Sequence, residues 1–279
     1  MRCQLSCVRT VGSASHLIKA LGHKHSTTNA QWVEVFQNIE KYITKAEVDN
    51  RVMLTIAEIK KVTRGKKCAI AWSGGKDSLV VEYLAGQAGI TQGVFAHTDL
   101  EYPAFMEWVD RHKPDEIESM NSGHDIDWVK RHPQFLFPKT AALHGRWYSM
   151  VQQATVNRYF HRESLDLVLM GRRRADGNCV RKNIYTNANN VTIYNCIADW
   201  ENELILGFLH YYNIPIPPIY FWENGFIEGT HPWSTRNPVD RSDMTAWQEI
   251  FNIDSSVVLN AALHFDSAKQ FLKKRGVIR

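Results

Sequence analysis

Two segments of this sequence carry residue types that could do chemistry together. The first is Ser73-Gly74-Gly75-Lys76-Asp77-Ser78, which follows the short apolar run Ala69-Ile70-Ala71-Trp72. The run predicts a buried strand. Residues 79–88, with Leu79, Val80, Tyr83 and Leu84 at helical spacing, predict a helix. A turn in that context sits between the C-terminal end of a strand and the N-terminus of a helix, where the helix dipole and unpaired amides attract anions. Gly74 and Gly75 let the backbone approach a phosphate. Ser73 and Ser78 bring hydroxyl donors, and Lys76 brings a point charge for phosphate oxygens. Asp77 would be repelled by bare phosphate, so its presence implies a divalent cation, Mg2+, with Asp77 as the metal ligand.

The second segment is Arg172-Arg173-Arg174, which follows an apolar run at 165–170 and Gly171, with Arg181 a few residues on. Arginines that follow a strand of the same sheet emerge at the same C-terminal edge as the phosphate turn, where open α/β sheets bind ligands. Guanidinium groups hold phosphate bidentately and stay charged. Of three adjacent arginines, one must point away from any shared ligand. A solvated basic turn is the alternative reading.

The elements around these segments must bring them together. Residues 93–97 predict a second strand, ending in His97-Thr98-Asp99 and followed by a helix through His112. This alternation predicts a parallel sheet covered on both faces. Residues 32–62 predict one or two amphipathic helices, closed by Arg64-Gly65-Lys66-Lys67. A weak strand is expected at 114–118, a short helix at 125–131 and a longer one at 140–161. Another strand is expected at 190–196 and a helix at 200–212, with Asp199 as its N-cap and Trp200 in the core. The proline-rich stretch 214–220 cannot stay helical, and 244–274 reads as mostly helical. The expected division is a basic N-terminal arm at 1–31, an α/β nucleotide-binding domain at 32–221 and a helical appendage at 222–279.

The composition is that of an ordinary globular chain: 279 residues, 44% hydrophobic, 22% charged, formal net charge +4. That charge suits an anionic ligand but does not by itself argue for nucleic acid. No apolar run approaches the ~20 residues that span a bilayer. The five cysteines (Cys3, Cys7, Cys68, Cys179 and Cys196) are scattered and odd in number. They suggest a reducing, cytoplasmic compartment without a disulfide framework. Residues 1–31 lack Asp and Glu, which fits either a transit peptide or a basic arm packed on the domain or a partner; the arm is preferred. His23 and His25 lie two apart, but no zinc constellation accompanies them.

The phosphate turn is not a Walker loop, because Asp77 follows Gly75-Lys76 and Ile70 stands five residues before Gly75. It resembles instead the pyrophosphate loop (PP-loop) of the ATP pyrophosphatase and sulfonucleotide reductase superfamily, whose signature is Ser-Gly-Gly-x-Asp-Ser. Two further segments resemble the phosphoadenosine phosphosulfate (PAPS) reductase branch. One is Leu169-Met170-Gly171-Arg172-Arg173-Arg174. The other is Ile197-Ala198-Asp199-Trp200 through Tyr212, then Ile214-Pro215 and Pro218-Ile219-Tyr220. They come in family order, and the resemblance covers roughly 59–221.

The resemblance implies an adenine nucleotide α-hydrolase-like (Rossmann-like) sheet, with ATP and Mg2+ as cofactors. It implies that Ser73 to Ser78, Thr98, Asp99, Gly171, Arg172, Arg173, Arg174 and Arg181 contact the nucleotide. Lys76, Asp77 and Arg173 are then the catalytic candidates, and Thr98 and Asp99 act mainly through backbone near adenine and ribose. In such enzymes an acceptor oxygen attacks the α-phosphorus and displaces pyrophosphate, and a nucleophile then replaces AMP. The chain also departs from the branch. Ala175-Asp176 stands where Glu-Ser is expected, and no cysteine follows Cys196, so the C-terminal thiol motif of a sulfonucleotide reductase is missing. No Cys-x-x-Cys or Cys-Cys pair is present for an iron–sulfur cluster, and Cys179 reads as a small loop residue. Adenylyl transfer is therefore the expected chemistry, with reduction and non-catalytic nucleotide binding as alternatives. The acceptor is left open among a base, tRNA, DNA, an amino acid and a small acid. A homo-oligomer or a complex partner is expected.

Overall fold

The computed structural model describes residues 17–23, 26–177, 180, 182–237 and 240–279. Its centre is a six-stranded sheet. Five strands run parallel: β1 (Cys68–Trp72), β2 (Gly93–His97), β3 (Ile117–Asn121), β4 (Leu167–Leu169) and β6 (Thr192–Tyr194). The sixth, β5 (Ile184–Thr186), pairs antiparallel with β6, and the spatial order is β3-β2-β1-β4-β6-β5. The turn at β1 thus lies between strands entering from both sides.

Side chains alternate across the sheet as the pleat requires. Ile70, Phe95, Leu167 and Leu169 join the core on one face, and Ala69, Val94, Val168 and Met170 that on the other. The first face is covered by α2 (Lys45–Thr63), α3 (Lys76–Gln87) and α8 (Asn202–Tyr211), whose Val52, Ile59, Val80, Leu84, Ile205 and Phe208 are buried. The opposite face is covered by α7 (Ala154–Arg162) through Val156, Tyr159 and Phe160. Both α1 (Asn29–Gln37) and α2 start with a capping box, Thr28 with Gln31 and Thr44 with Glu47.

The helix expected at 140–161 is α6 (Ala141–Tyr148), a π-helical turn (Ser149–Gln153) and α7, with Thr140 capping the start. Tyr148 and Gln152, four residues apart on one face of this helical run, both line the cavity described below. The remaining helices are α4 (Pro103–His112), α5 (Ile126–Arg131), α9 (Gly225–Glu228), α10 (Asp243–Ile253), α11 (Ser255–Ala261) and α12 (Asp266–Lys274).

The expected parallel sheet is present, with one antiparallel edge strand added to it: β5 and β6 form a hairpin around residues 187–190, where Asn190 takes φ 58° and Asn187 N donates to Val191 O at 3.0 Å. A three-residue edge strand with two exposed positions leaves no apolar run to read. The N-cap of α8 is Glu201 rather than Asp199, whose carboxylate is drawn away to Arg174 and Asn183. Trp200 is core, and its indole N–H donates to Thr55 Oγ1 at 3.1 Å.

Residues 17–23 strap onto the helices. Leu17 N donates to Glu47 Oε1 (3.0 Å), and Ala20 N and Leu21 N donate to Glu203 Oε1 (2.6 and 2.7 Å), with Leu21 buried. The rest of the arm up to residue 16, with Cys3 and Cys7, lies outside the described residues, as does His25. No helix of the described residues is long and apolar enough to cross a membrane.

Candidate nucleotide site

The turn leaves β1 at Trp72 and enters α3 at Lys76. Gly74 takes φ 65°, and a Cβ on it would lie 3.1 Å from the Phe105 ring, so both conformation and space require glycine. Serine hydroxyls stitch the turn together. Ser73 N donates to Ser78 Oγ (3.2 Å), Ser78 Oγ donates to Gly75 O (2.9 Å), and Gly75 N reaches Ser73 Oγ (3.4 Å). Lys76 N donates to the hydroxyl of Tyr220 at 2.8 Å. The next two amides of the first helical turn, those of Asp77 and Ser78, have no acceptor among the described residues. They remain available for an anion at the positive end of a twelve-residue helix.

A cavity of about 470 Å³ opens against this turn, a size typical of small-molecule sites. Ala71, Ala96 and Met170, from the ends of three adjacent strands, form its apolar floor. Tyr148, Gln152 and Val156 form one wall, and residues 229–232, with Phe226 and Thr235, form another. Gly171 joins the arginine turn to the phosphate turn, since a Cβ there would lie 3.1 Å from Asp77.

A four-membered charge cluster borders the cavity, with Lys76, Asp77 and Asp176 in its lining and Arg173 behind them. Lys76 Nζ is 2.6 Å from Asp77 Oδ2 and 3.6 Å from Asp176 Oδ1. Arg173 meets Asp77 Oδ1 through Nε and Asp176 Oδ1 through Nη2, both at 2.7 Å. Burial alone would raise the Asp77 carboxyl; Arg173 and then Lys76 outweigh it and hold that carboxyl below its ordinary range. Burial pushes the Tyr220 phenol up, aided by the charge of Asp77, so Tyr220 keeps its proton.

The three arginines are sorted by this geometry. Arg172 lines the cavity with its guanidinium over the Tyr148 ring (5.7 Å), and among the described residues no carboxylate pairs with it. Arg173, expected to be catalytic, is 0% exposed and does not reach the cavity. Its Nη1 donates to Trp200 O (2.9 Å) and Asn202 Oδ1 (3.0 Å). Arg174 turns outward to Asp199 and Asn183. Arg181 and Cys179 lie outside the described residues.

Two other expectations move. Thr98 and Asp99 do not line the cavity, which Ala96 reaches from β2 instead. Thr98 is buried in its own turn, its hydroxyl donating to Glu101 Oε1 (3.2 Å), and Asp99 accepts from Asn121 Nδ2 (2.5 Å). Asp77 does not fit a Mg2+ ligand as it stands, because both its oxygens are taken by cations. No cluster of three or more His, Cys, Asp or Glu suited to a metal occurs among the described residues.

Several contributors carry no sequence signal for the site. Tyr220 stands in the resembling run without a motif role of its own, and Asp176 stands in sequence only as a departure from the family pattern. Tyr148, Gln152 and residues 229–232 carry no motif and arrive through tertiary packing.

A search of solved structures finds low-identity likenesses. One is the PAPS reductase of Candida auris in a phosphate complex: 14% identity, TM-score 0.45, covering 63% of this chain and 90% of that one. Another is yeast FAD synthetase in complex with FAD: 15% identity, TM-score 0.41, covering 72% of each chain. No curated protein matches the sequence. Residues 67–228, more than half of the chain and including both the phosphate turn and the arginine turn, match the phosphoadenosine phosphosulfate reductase domain. The chain is therefore a member of the phosphoadenosine phosphosulfate reductase domain family.

Proposed function

We propose that the protein is an ATP-using adenylyl-transfer enzyme. The observation that carries this reading is the open first turn of α3, with the Asp77 and Ser78 amides unaccepted beside a cavity that Arg172 enters. The phosphate turn holds the β- and γ-phosphates, and the base lies over Ala71, Ala96 and Met170. An acceptor oxygen forms a bond to the α-phosphorus. The bond from that phosphorus to the bridging oxygen breaks, and pyrophosphate leaves with the electron pair. Arg172 meets the charge that builds on the α-phosphate, so the protein contributes position and charge rather than a covalent intermediate. Lys76 and Asp77 hold the turn in shape within their buried cluster. Mg2+ enters with ATP as the counter-ion of its phosphates.

Reductive chemistry is disfavoured by the thiols of the described residues. Cys68 and Cys196 are buried and do not line the cavity, and burial pushes them up to about 11 and about 12. A thiolate nucleophile needs the opposite environment. The test is product analysis with ATP labelled at the α-phosphate, in the presence of candidate acceptors. Labelled AMP or an adenylylated acceptor, with pyrophosphate, is expected. ADP with inorganic phosphate, or thioredoxin-dependent release of sulfite from PAPS, would overturn the proposal.

A further inference from the structure

Gly75 is ringed by three hydroxyls, one from its own turn and two from the distant segment 220–230. A Cβ placed on it would lie 3.2 Å from Tyr220 Oη, 3.3 Å from Ser73 Oγ and 3.4 Å from Thr230 Oγ1. Two of these groups already serve the turn: Ser73 Oγ faces Ser78 Oγ (3.3 Å), and Tyr220 Oη accepts the Lys76 amide. The third differs. Among the described residues none takes up the Thr230 hydroxyl, which lines the cavity.

Thr230 lies beyond residue 228, where the family match ends. Its segment is nevertheless held firmly from behind. Trp233 N donates to Leu100 O (3.1 Å), and Ser234 O accepts from Phe137 N (2.7 Å). Arg236, 1% exposed, bonds Glu249 Oε2 of α10 through Nε (3.1 Å) and Glu223 O through Nη2 (3.0 Å). The C-terminal helices thus hold a hydroxyl beside Gly75, at the start of α3, in the lining of the same cavity. A nucleotide with its base on the apolar floor and its outer phosphates on the turn would bring those phosphates beside Thr230.

We propose that Thr230 is a ligand for the outer phosphates of a nucleoside triphosphate, so that the segment after the family domain selects triphosphate over monophosphate. The Thr230 hydroxyl donates to a β- or γ-phosphate oxygen, and the Tyr220 hydroxyl, its oxygen already occupied by Lys76 N, donates beside it. This inference rests on the ATP reading above. It makes the C-terminal region part of the site rather than a passive appendage.

The experiment is calorimetric titration of the full chain with ATP, inorganic pyrophosphate and AMP. The variants are Thr230→Val, which keeps the branched shape and removes the hydroxyl, Thr230→Ala and Thr230→Ser. A hydrogen bond to a charged group predicts roughly tenfold weaker ATP and pyrophosphate binding in the first two, unchanged AMP binding, and recovery in Thr230→Ser. Wild-type affinity for ATP and pyrophosphate in both Thr230→Val and Thr230→Ala would overturn the inference while leaving the ATP reading standing. Equal weakening of AMP would also overturn it. Wild-type protein that binds neither ATP nor pyrophosphate would refute the ATP reading itself.

Discussion

Arg173 Nε donates to Asp77 Oδ1 at 2.7 Å, so the phosphate turn and the arginine turn, 96 residues apart, share one buried ion pair. The same guanidinium reaches Asn202 Oδ1, and Asn202 Nδ2 donates to Gly22 O at 2.8 Å. Two side chains, Arg173 and Asn202, therefore link the turn, the start of α8 and the N-terminal strap. A charge without solvent must be paired, and removing one partner leaves the others exposed to the full desolvation cost.

Arg173→Ala should accordingly unfold more easily by about 3–5 kcal/mol, the usual penalty for orphaning a buried ion pair. In a chain of this size that lowers the melting temperature by roughly 10 °C. Arg173→Lys should recover little, since an ammonium cannot make the forked set of bonds. Thermal melts decide the point: a wild-type melting temperature in Arg173→Ala would show that the pair carries no stability.

Arg172→Ala should behave oppositely. Its guanidinium has an aromatic ring beneath it and no carboxylate among the described residues. The melting temperature should stay within about a degree, as for surface changes with no buried partner. Adenylyl transfer should fall roughly ten- to a hundredfold, the range for one charge-assisted phosphate contact. Unchanged turnover would return Arg172 to a solvated basic turn.

The sequence made the turn legible because strand, glycines and helix are contiguous, and local pattern suffices for such a unit. It could not rank the arginines. The period-2 alternation that orients β4 stops at Leu169, where the strand ends, so facing cannot be extrapolated to 172–174. The buried position fell to Arg173 because Asp77, Asp176 and Asn202 converge there, and their proximity is a tertiary fact. Thr230 was invisible for the same reason. Most helices were legible through periodicity, whereas β5 had neither burial nor length to announce it.

The described cysteines should be inert in the folded protein. Thiols at about 11 and about 12 carry almost no thiolate at pH 8. Iodoacetamide at that pH should leave Cys68 and Cys196 unmodified until denaturant is added, as read by mass spectrometry of the peptides. Cys196→Ser should keep ATP-dependent activity provided its melting curve shows a folded protein. Rapid alkylation of either thiol in the native state would contradict the burial described here.

Glu101 should make stability depend on pH in the direction opposite to a paired carboxylate. Burial pushes its carboxyl up to about 8, although Thr98 N and Thr98 Oγ1 both donate to Oε1, at 3.3 and 3.2 Å. The unfolded chain releases this proton near the ordinary glutamate value of about 4.3. Between those values the folded state binds more protons than the unfolded one, so this residue's contribution falls as pH rises from about 4.3 and is lost through pH 8. Glu101→Gln keeps an acceptor for Thr98 and cannot ionise. It should match the wild type at pH 4 and exceed it at pH 8.5 by an amount on the order of a few kcal/mol. Urea unfolding of both proteins at pH 4, 6.5 and 8.5 isolates the term, because every other titrating group cancels in the difference. A stability difference that does not change with pH would mean that the Glu101 carboxyl is already ionised in the folded protein.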